Sequence, residues 1–136
     1  MTKIKIYFFL VIVIIISFLY YLGGINENSL KNNTAFTYGH ISDLAYTTYA
    51  SGKKTSCEYT IANKTYTAEF HHNNYCYPES EEEKAIFKKL PIVIAYDSTN
   101  AKISRVLISL ELMREFNYAL DDSLKGQYEK FFFKCQ

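Results

Sequence analysis

The sequence predicts a mainly β protein of the α+β class, with an N-terminal transmembrane helix followed by a small antiparallel β-sheet or barrel-like domain and one or two short helices. Three observations support this prediction. The run 6–22 holds 17 residues without a charge, and the remaining length of about 110 residues suits one small domain. Residues typical of strands are abundant, above all the 13 tyrosines. On both sides of Asn63-Lys64, apolar residues alternate with polar ones, as in a half-buried hairpin.

The apolar run 6–22 has the properties of a membrane-spanning helix. A helix of this length measures roughly 26 Å, at the short end of what crosses a bilayer, and Lys5 can extend it by snorkelling. The alternative is a cleavable signal peptide, since residues 1–5 form a short basic segment. The run ends in Tyr20-Tyr21-Leu22 rather than in an A-x-A pattern. This ending favours an uncleaved anchor, although Gly23-Gly24 leaves an opening for cleavage.

The charges around this run predict its orientation. Lys3 and Lys5 precede it, whereas Glu27 and Lys31 follow it, so the positive-inside rule places the N-terminus in the cytoplasm and residues 25–136 outside. The bias towards Lys, Asn, Ile and Tyr is typical of an AT-rich bacterial genome. We therefore expect a single-pass protein of the bacterial inner (cytoplasmic) membrane.

The charge balance of the outer part argues against a nucleic-acid partner. Removing Lys3 and Lys5 from the 15 basic residues leaves 13 against 14 acidic residues, a net charge of −1. Such a balance gives no electrostatic reason to expect binding to nucleic acid.

We divide the chain into four segments. Residues 1–22 form the transmembrane anchor. The small, polar and aperiodic stretch 23–34 is predicted to be a tether that lifts the domain off the membrane. Residues 35–110 are predicted to form the β domain. Residues 111–136 are predicted to form a C-terminal helical tail, because apolar residues recur four apart after position 111.

The β domain is predicted to open with a long strand over 36–49, which bends or bulges near Gly39 to Ser42. A hairpin follows. A two-residue turn at Asn63-Lys64 places Ala62 opposite Thr65 and, by counting, Glu58 opposite Glu69. One face of the hairpin then carries Cys57, Tyr59, Ile61, Tyr66, Ala68 and Phe70.

A short helix is predicted over 80–90. Ser80 begins it as the N-cap and Glu83 stands at the third helical position, so the two form a capping box. Acidic residues in the first turn and lysines in the last turn suit the helix dipole. Its predicted apolar stripe consists of Ile86, Phe87 and Leu90.

Two further strands are predicted after this helix. The continuous apolar run 91–96 is typical of a strand that is covered on both faces. The stretch 97–100 is a turn, in which Asp97 and Asn100 bind the backbone. The strand 103–110 returns, with Val106, Ile108 and Leu110 expected on one face.

The segment 93–108, VIAYDSTNAKISRVLI, together with the hairpin that contains Asn63-Lys64-Thr65-Tyr66, resembles a widespread group of small bacterial membrane-anchored proteins known only as a domain of unknown function. Their shared pattern includes a V-x-Y-D-P-x-N-P element before the last strand. Tyr96, Asp97 and Asn100 match that element, whereas Ser98 and Ala101 replace its prolines. The resemblance covers about residues 36 to 108. It implies a compact, mostly antiparallel β domain and no established activity.

A metal site is the sharpest chemical hypothesis in the sequence. His71, His72 and Cys76 fall within six residues, and His40 or Cys57 could complete a zinc-like set of four ligands. Adjacent histidines at a strand end point to opposite faces, however, so only one of them could readily join Cys76. An ordinary polar loop is the preferred interpretation.

The three cysteines suggest one disulfide bond and one spare thiol, provided that the domain lies outside the cytoplasm. We expect Cys57 to pair with Cys76, because Cys57 lies on the inward face of the hairpin and Asn73-Asn74 can reverse the chain between them. Cys135 would then stay free or link two copies. The alternative pairing joins Cys76 to Cys135.

No catalytic motif or glycine-rich phosphate loop is present, so neither an enzyme nor a cofactor is expected. The leading hypothesis is a membrane-anchored extracytoplasmic module that binds a protein or another envelope component, with exposed tyrosines as its contact surface. The alternatives are a periplasmic immunity protein that neutralises a toxin, and a metal-dependent activity at the loop from His71 to Cys76.

Overall fold

The structure is a computed structural model that describes residues 2–45, 53–72 and 77–134. Its regular elements follow one another along the chain as α1 (Thr2–Asn32), β1 (Thr34–Ala45), β2 (Lys53–Ile61), β3 (Lys64–His72), α2 (Glu81–Lys89), β4 (Ile92–Asp97), β5 (Asn100–Val106), α3 (Leu110–Glu115), α4 (Asp122–Tyr128) and a π-helical turn (Glu129–Phe133).

The five strands form one antiparallel sheet in the order β3-β2-β1-β4-β5. The sheet curls until its two edge strands, β3 and β5, are in contact, which gives it a nearly barrel-like shape. The Tyr59 hydroxyl on β2 donates a hydrogen bond to the backbone carbonyl of Ala101 on β5 and so helps to close the curl. The predicted fold class is therefore confirmed.

Helix α1 is long and apolar enough to cross a membrane, with a mean hydropathy of 2.6 over its best window, and no part of that window is buried against the described chain. The stretch 23–34, predicted to be an aperiodic tether, is helical as far as Asn32. Extending an existing helix needs no new nucleation. Its last turn is also held by the domain: Leu30 is only 2% exposed.

The β2–β3 hairpin is present, but its register differs from the prediction by two residues. The turn residues are Ala62 and Asn63, both with positive φ (48° and 64°), and Ile61 pairs with Lys64. Two consecutive positive φ angles are typical of a type I′ turn, whose backbone twist matches the right-handed twist of the strands that it joins. The predicted distribution of residues between the two faces is still correct, because side chains alternate with a period of two and a shift of two residues leaves each on the same face. Glu58 faces Thr67 instead of Glu69.

Strand β1 is irregular where the sequence predicted a bend, since its pairing with β2 shifts between Ile41 and Asp43. Gly39 lies just before this point, and its lack of a side chain matters. A Cβ atom there would lie 2.6 Å from Cδ1 of Ile94 and 2.8 Å from the carbonyl oxygen of Glu58. The end of the predicted strand, 46–49, lies outside the described residues.

Helix α2 begins as predicted. The Ser80 hydroxyl accepts a hydrogen bond from the Glu83 amide at 3.1 Å, and the Glu83 carboxylate accepts one from the Glu79 amide at 3.4 Å. Of the predicted apolar stripe, Phe87 and Leu90 are buried, whereas Ile86 is 42% exposed. The stripe is therefore narrower than expected.

The core lies between the curled sheet and the helices that follow it. β4 is covered on both faces as predicted, and its first four residues have no exposed surface. Strand β5 ends at Val106, earlier than predicted, and Leu110 begins α3 with 48% of its surface exposed. A cap explains this early end, because the Ser109 hydroxyl accepts a hydrogen bond from the Leu112 amide and starts the helix.

The C-terminal segment contributes to the same core. Tyr128 is fully buried, and Phe132 lies with its ring centroid 5.9 Å from that of Phe70 on β3. Phe131 packs against Phe87 of α2 at 5.1 Å. The apolar core therefore extends across the boundary that the sequence suggested between the β domain (35–110) and the tail (111–136).

Candidate binding surface

The histidines that suggested a metal site are not brought together in the described structure. His71 lies near the end of β3, and His40 lies on β1 opposite Glu58. Two strand spacings and four residues along the strand separate the two histidines, roughly 16 Å, which is too far to share one ion. Within the described ranges no group of three His, Cys, Asp or Glu side chains could hold a metal. The His72 side chain and Cys76 lie outside them.

Cys57 is buried in the core opposite Ala68 rather than Phe70, and it has no disulfide partner among the described residues. Burial raises the pKa of this thiol to about 12. A neutral, inaccessible thiol is unsuited to nucleophilic chemistry. Cys76 and Cys135 lie outside the described residues, so the Cys57–Cys76 disulfide stays a prediction.

The Asp97 carboxylate joins the end of α1 to the β4–β5 turn. It is fully buried and accepts hydrogen bonds from the Ser29 hydroxyl and from the amide and hydroxyl of Thr99, the latter two at 2.8 and 2.6 Å. The Ser29 bond, followed by those from Thr99, holds the pKa of Asp97 below its usual value. The backbone adds a bond from the Ser98 amide to the Asn33 carbonyl at 2.9 Å. We call these five residues the junction.

The three residues that carried the sequence resemblance, Tyr96, Asp97 and Asn100, all have contacts within the fold. The acceptor capacity of the Asp97 carboxylate is used within the fold, so it is not available as a general base. Asn100 caps its own turn by accepting a bond from the Lys102 amide at 3.3 Å. The Tyr96 ring packs on Tyr59 with centroids 6.5 Å apart. All three are structural residues in the described chain.

The exposed aromatic rings of β1 form a different kind of surface. Phe36 and Tyr38 point to the same face of the strand and remain 40% and 51% exposed. Tyr118, from the loop after α3, lies beside both. Its ring centroid is 4.9 Å from that of Phe36, and its hydroxyl is 3.0 Å from that of Tyr38. We call Phe36, Tyr38 and Tyr118 the aromatic face.

The aromatic face also contributes to the fold, because part of each ring is buried within the domain. Phe36 is paired with Ala95 and Tyr38 with Val93, and both partners on β4 are fully buried. Burial and the bond to Tyr38 raise the pKa of Tyr118 to about 12, so its phenol stays neutral under physiological conditions. The outer sides of the rings remain available for contact.

A cleft of about 450 Å³ adjoins the aromatic face and shares Tyr118 with it. We call it the tail cleft. Its remaining lining is Leu110, Met113, Leu120 and Phe133, which are apolar, and Arg114, Lys125, Glu129 and Lys134, which are charged. On the other side, Phe36 borders a hollow of about 420 Å³ beside Lys31, Thr34 and residues 115–117. The aromatic face therefore lies between two concave regions.

Sequence reasoning found only part of this surface. The alternation of Phe36 and Tyr38 in β1 was recognisable, and so was the suggestion that exposed tyrosines could serve as contacts. The approach of Tyr118 was not recognisable, because it depends on how the loop after α3 crosses β1. Among 13 tyrosines, no sequence signal distinguishes this one.

In comparisons of sequence and fold, no family model, curated protein or solved structure matches the chain.

Proposed function

We propose that this chain is a single-pass protein of the bacterial inner membrane whose domain, outside the cytoplasm, binds a protein or another envelope component through the aromatic face. The observation that carries the proposal is the exposure of Phe36 and Tyr38 beside Tyr118. Tyrosine and phenylalanine give large contact areas at low cost in side-chain entropy, and they are typical of interface centres. The proposal includes no catalytic step.

An uncleaved anchor is supported by the course of α1. The helix runs through Gly23 and Gly24, where a signal peptide would be cut, and its end is fixed to the domain by Leu30 and Ser29. Residues 23–32 span roughly 15 Å as a helix. This length would hold the domain at a fixed distance from the bilayer, where a flexible tether would let it turn freely.

The orientation is tested with reporter fusions. Lys3 and Lys5 before the span predict an N-terminus inside. Alkaline phosphatase fused after Gln136 should be active, and a fluorescent protein that matures only in the cytoplasm should stay dark at the same site. Fluorescence with an inactive phosphatase would reverse the orientation.

The binding surface is tested by photocrosslinking in living cells. A photoreactive phenylalanine analogue replaces Tyr38 in the full chain, and the matched control replaces Ile86, which has similar exposure on α2. We expect a discrete adduct of defined mass from position 38 and none from position 86. Adducts of the same pattern at both positions, or at neither, would contradict a specific surface on β1.

A further inference from the structure

We propose that the tail cleft binds a single-chain amphiphile, that is, an apolar chain with an anionic head group. This inference concerns a small-molecule site, and it stands whether or not the aromatic face has a protein partner. It rests on the lining of the cleft, the charges at its mouth and its position in the domain.

The apolar part of the lining suits a hydrocarbon chain. Met113 is buried, and Tyr118, Leu120 and Phe133 are half-buried around it. The volume of about 450 Å³ lies within the range of roughly 300–1,000 Å³ that is typical of small-ligand sites. Such sites are mostly apolar, with a few polar groups that orient the ligand.

The charged part of the lining favours an anion. Three cations, Arg114, Lys125 and Lys134, stand against one carboxylate, Glu129. Lys125 already forms an ion pair with Asp122. Among the described residues, Arg114 and Lys134 have no ion-pair partner within 4.0 Å. A guanidinium beside an ammonium suits a carboxylate or a phosphate group.

Helix α3 lies near the membrane, where single-chain amphiphiles are concentrated. Glu115, at the end of α3, forms an ion pair with Lys31 at 2.7 Å. Lys31 lies nine residues after Leu22, or roughly 14 Å along the helix axis. The cleft would therefore lie close to the bilayer that concentrates fatty acids and lysophospholipids. Only this step depends on the membrane anchor of the proposed function.

The test uses the full chain in nanodiscs of zwitterionic lipid. Three probes carry the same diazirine-bearing C16 chain: a fatty acid, an alcohol and a lysophosphatidylglycerol. After irradiation, labelled peptides are mapped by mass spectrometry. We expect an anionic probe to label residues 110–134, and an excess of the same unlabelled lipid to suppress the labelling. The stronger of the two anionic probes identifies the head group.

Two variants make the test specific. The double variant Arg114→Gln/Lys134→Gln should lower labelling by the anionic probes about tenfold, the equivalent of one lost charge-assisted contact, and leave labelling by the alcohol unchanged. Leu120→Trp should block all three probes by filling the cleft, whereas Ile86→Trp on α2 should block none. Thermal unfolding confirms that each variant is folded.

Labelling restricted to α1 would overturn the proposal, because it would report only the bilayer. Equal labelling of the cleft by the alcohol and the anionic probes, unaffected by the double variant, would also overturn it, since no anion would then be recognised. A failed protein crosslink at position 38 would leave this result untouched, so the two proposals fail independently.

Discussion

The junction and the aromatic face lie on either side of the start of β1, and they differ in how completely their side chains are buried. In the junction, the Asp97 carboxylate is fully buried, with Ser29 and Thr99 as its donors. In the aromatic face, Phe36 and Tyr38 leave about half of their surface exposed. A buried charge is retained only where its partners are fixed, whereas an exposed ring needs no partner for folding.

Two tyrosines show the same contrast within one residue type. Tyr128 is fully buried, and its hydroxyl accepts a bond from the Val93 amide at 2.8 Å. Tyr118 shares a hydroxyl contact of 3.0 Å with Tyr38 at the surface. Burial, rather than residue type, distinguishes the side chains that stabilise this fold from those that are available to a partner.

The largest effect is expected for Asp97→Ala. The change leaves the Ser29 and Thr99 hydroxyls without their acceptor and removes the side-chain bond that joins α1 to the β4–β5 turn. Loss of a buried network belongs to the most destabilising class of substitutions, so we expect the Tm to fall by about 10 °C or more. Differential scanning calorimetry of the full chain in detergent measures it.

The matched control is Asp122→Ala, which removes an exposed carboxylate that pairs with Lys125. Surface ion pairs contribute little, so the Tm should change by less than about 3 °C. If the two alanine variants had the same Tm, the buried Asp97 network would contribute no more to stability than an exposed ion pair, which would contradict the prediction.

The second effect compares Tyr128→Phe with Tyr118→Phe. Removing the Tyr128 hydroxyl leaves the buried Val93 amide unpaired, at a cost of about 1–3 kcal/mol in the free energy of unfolding. Removing the Tyr118 hydroxyl exposes the Tyr38 hydroxyl to water, and the cost should stay below about 0.5 kcal/mol. Urea unfolding measures both. A Tyr118 variant as unstable as the Tyr128 variant would show that the aromatic face is part of the core.

The sequence was sufficient where local chemistry decides the structure. The capping box at Ser80 and Glu83, the apolar run of β4 and the bulge after Gly39 all follow from nearest neighbours in the chain. The faces of the β2–β3 hairpin also follow, because alternation fixes them. Its register does not, since two turns one residue apart give the same faces.

The failures arise where distant residues decide. Residues 23–32 look like a tether because they are polar and include two glycines. They are helical because they extend the apolar helix, and the contacts of Leu30 and Ser29 with the domain hold the last turn. The end of β5 is a local exception: Ser109 caps α3 through the Leu112 amide, but Leu112 cannot supply the capping-box signal that Glu83 supplies after Ser80. The role of Tyr118 depends on a contact made 80 residues away, with Tyr38.

The third prediction concerns pH. Since the folded-state pKa of Asp97 is lowered, chiefly by Ser29, its ionisation adds stability that is complete above the unfolded value of about 3.9 and is lost as the pH falls through the folded value. The Tm of the natural chain should therefore drop more steeply below about pH 4 than that of Asp97→Asn. Carboxylates such as Glu115, whose pKa is also lowered, titrate in both chains and cancel. If the Tm of both chains changed with pH at the same rate, ionisation of Asp97 would not contribute to stability.

The smallest effect should have the opposite sign and is expected at Ala62. This residue is exposed and has a φ of 48°, a conformation that costs an alanine roughly 1 kcal/mol. Glycine adopts it freely, but it also gains entropy in the unfolded chain. We therefore expect Ala62→Gly to stabilise the domain by about 0.5 kcal/mol, whereas Ala68→Gly, inside β3, should destabilise it by about 1 kcal/mol. Urea unfolding of both variants tests the register directly, because a turn at Asn63-Lys64 would place Ala62 in a strand, where glycine would destabilise the domain instead.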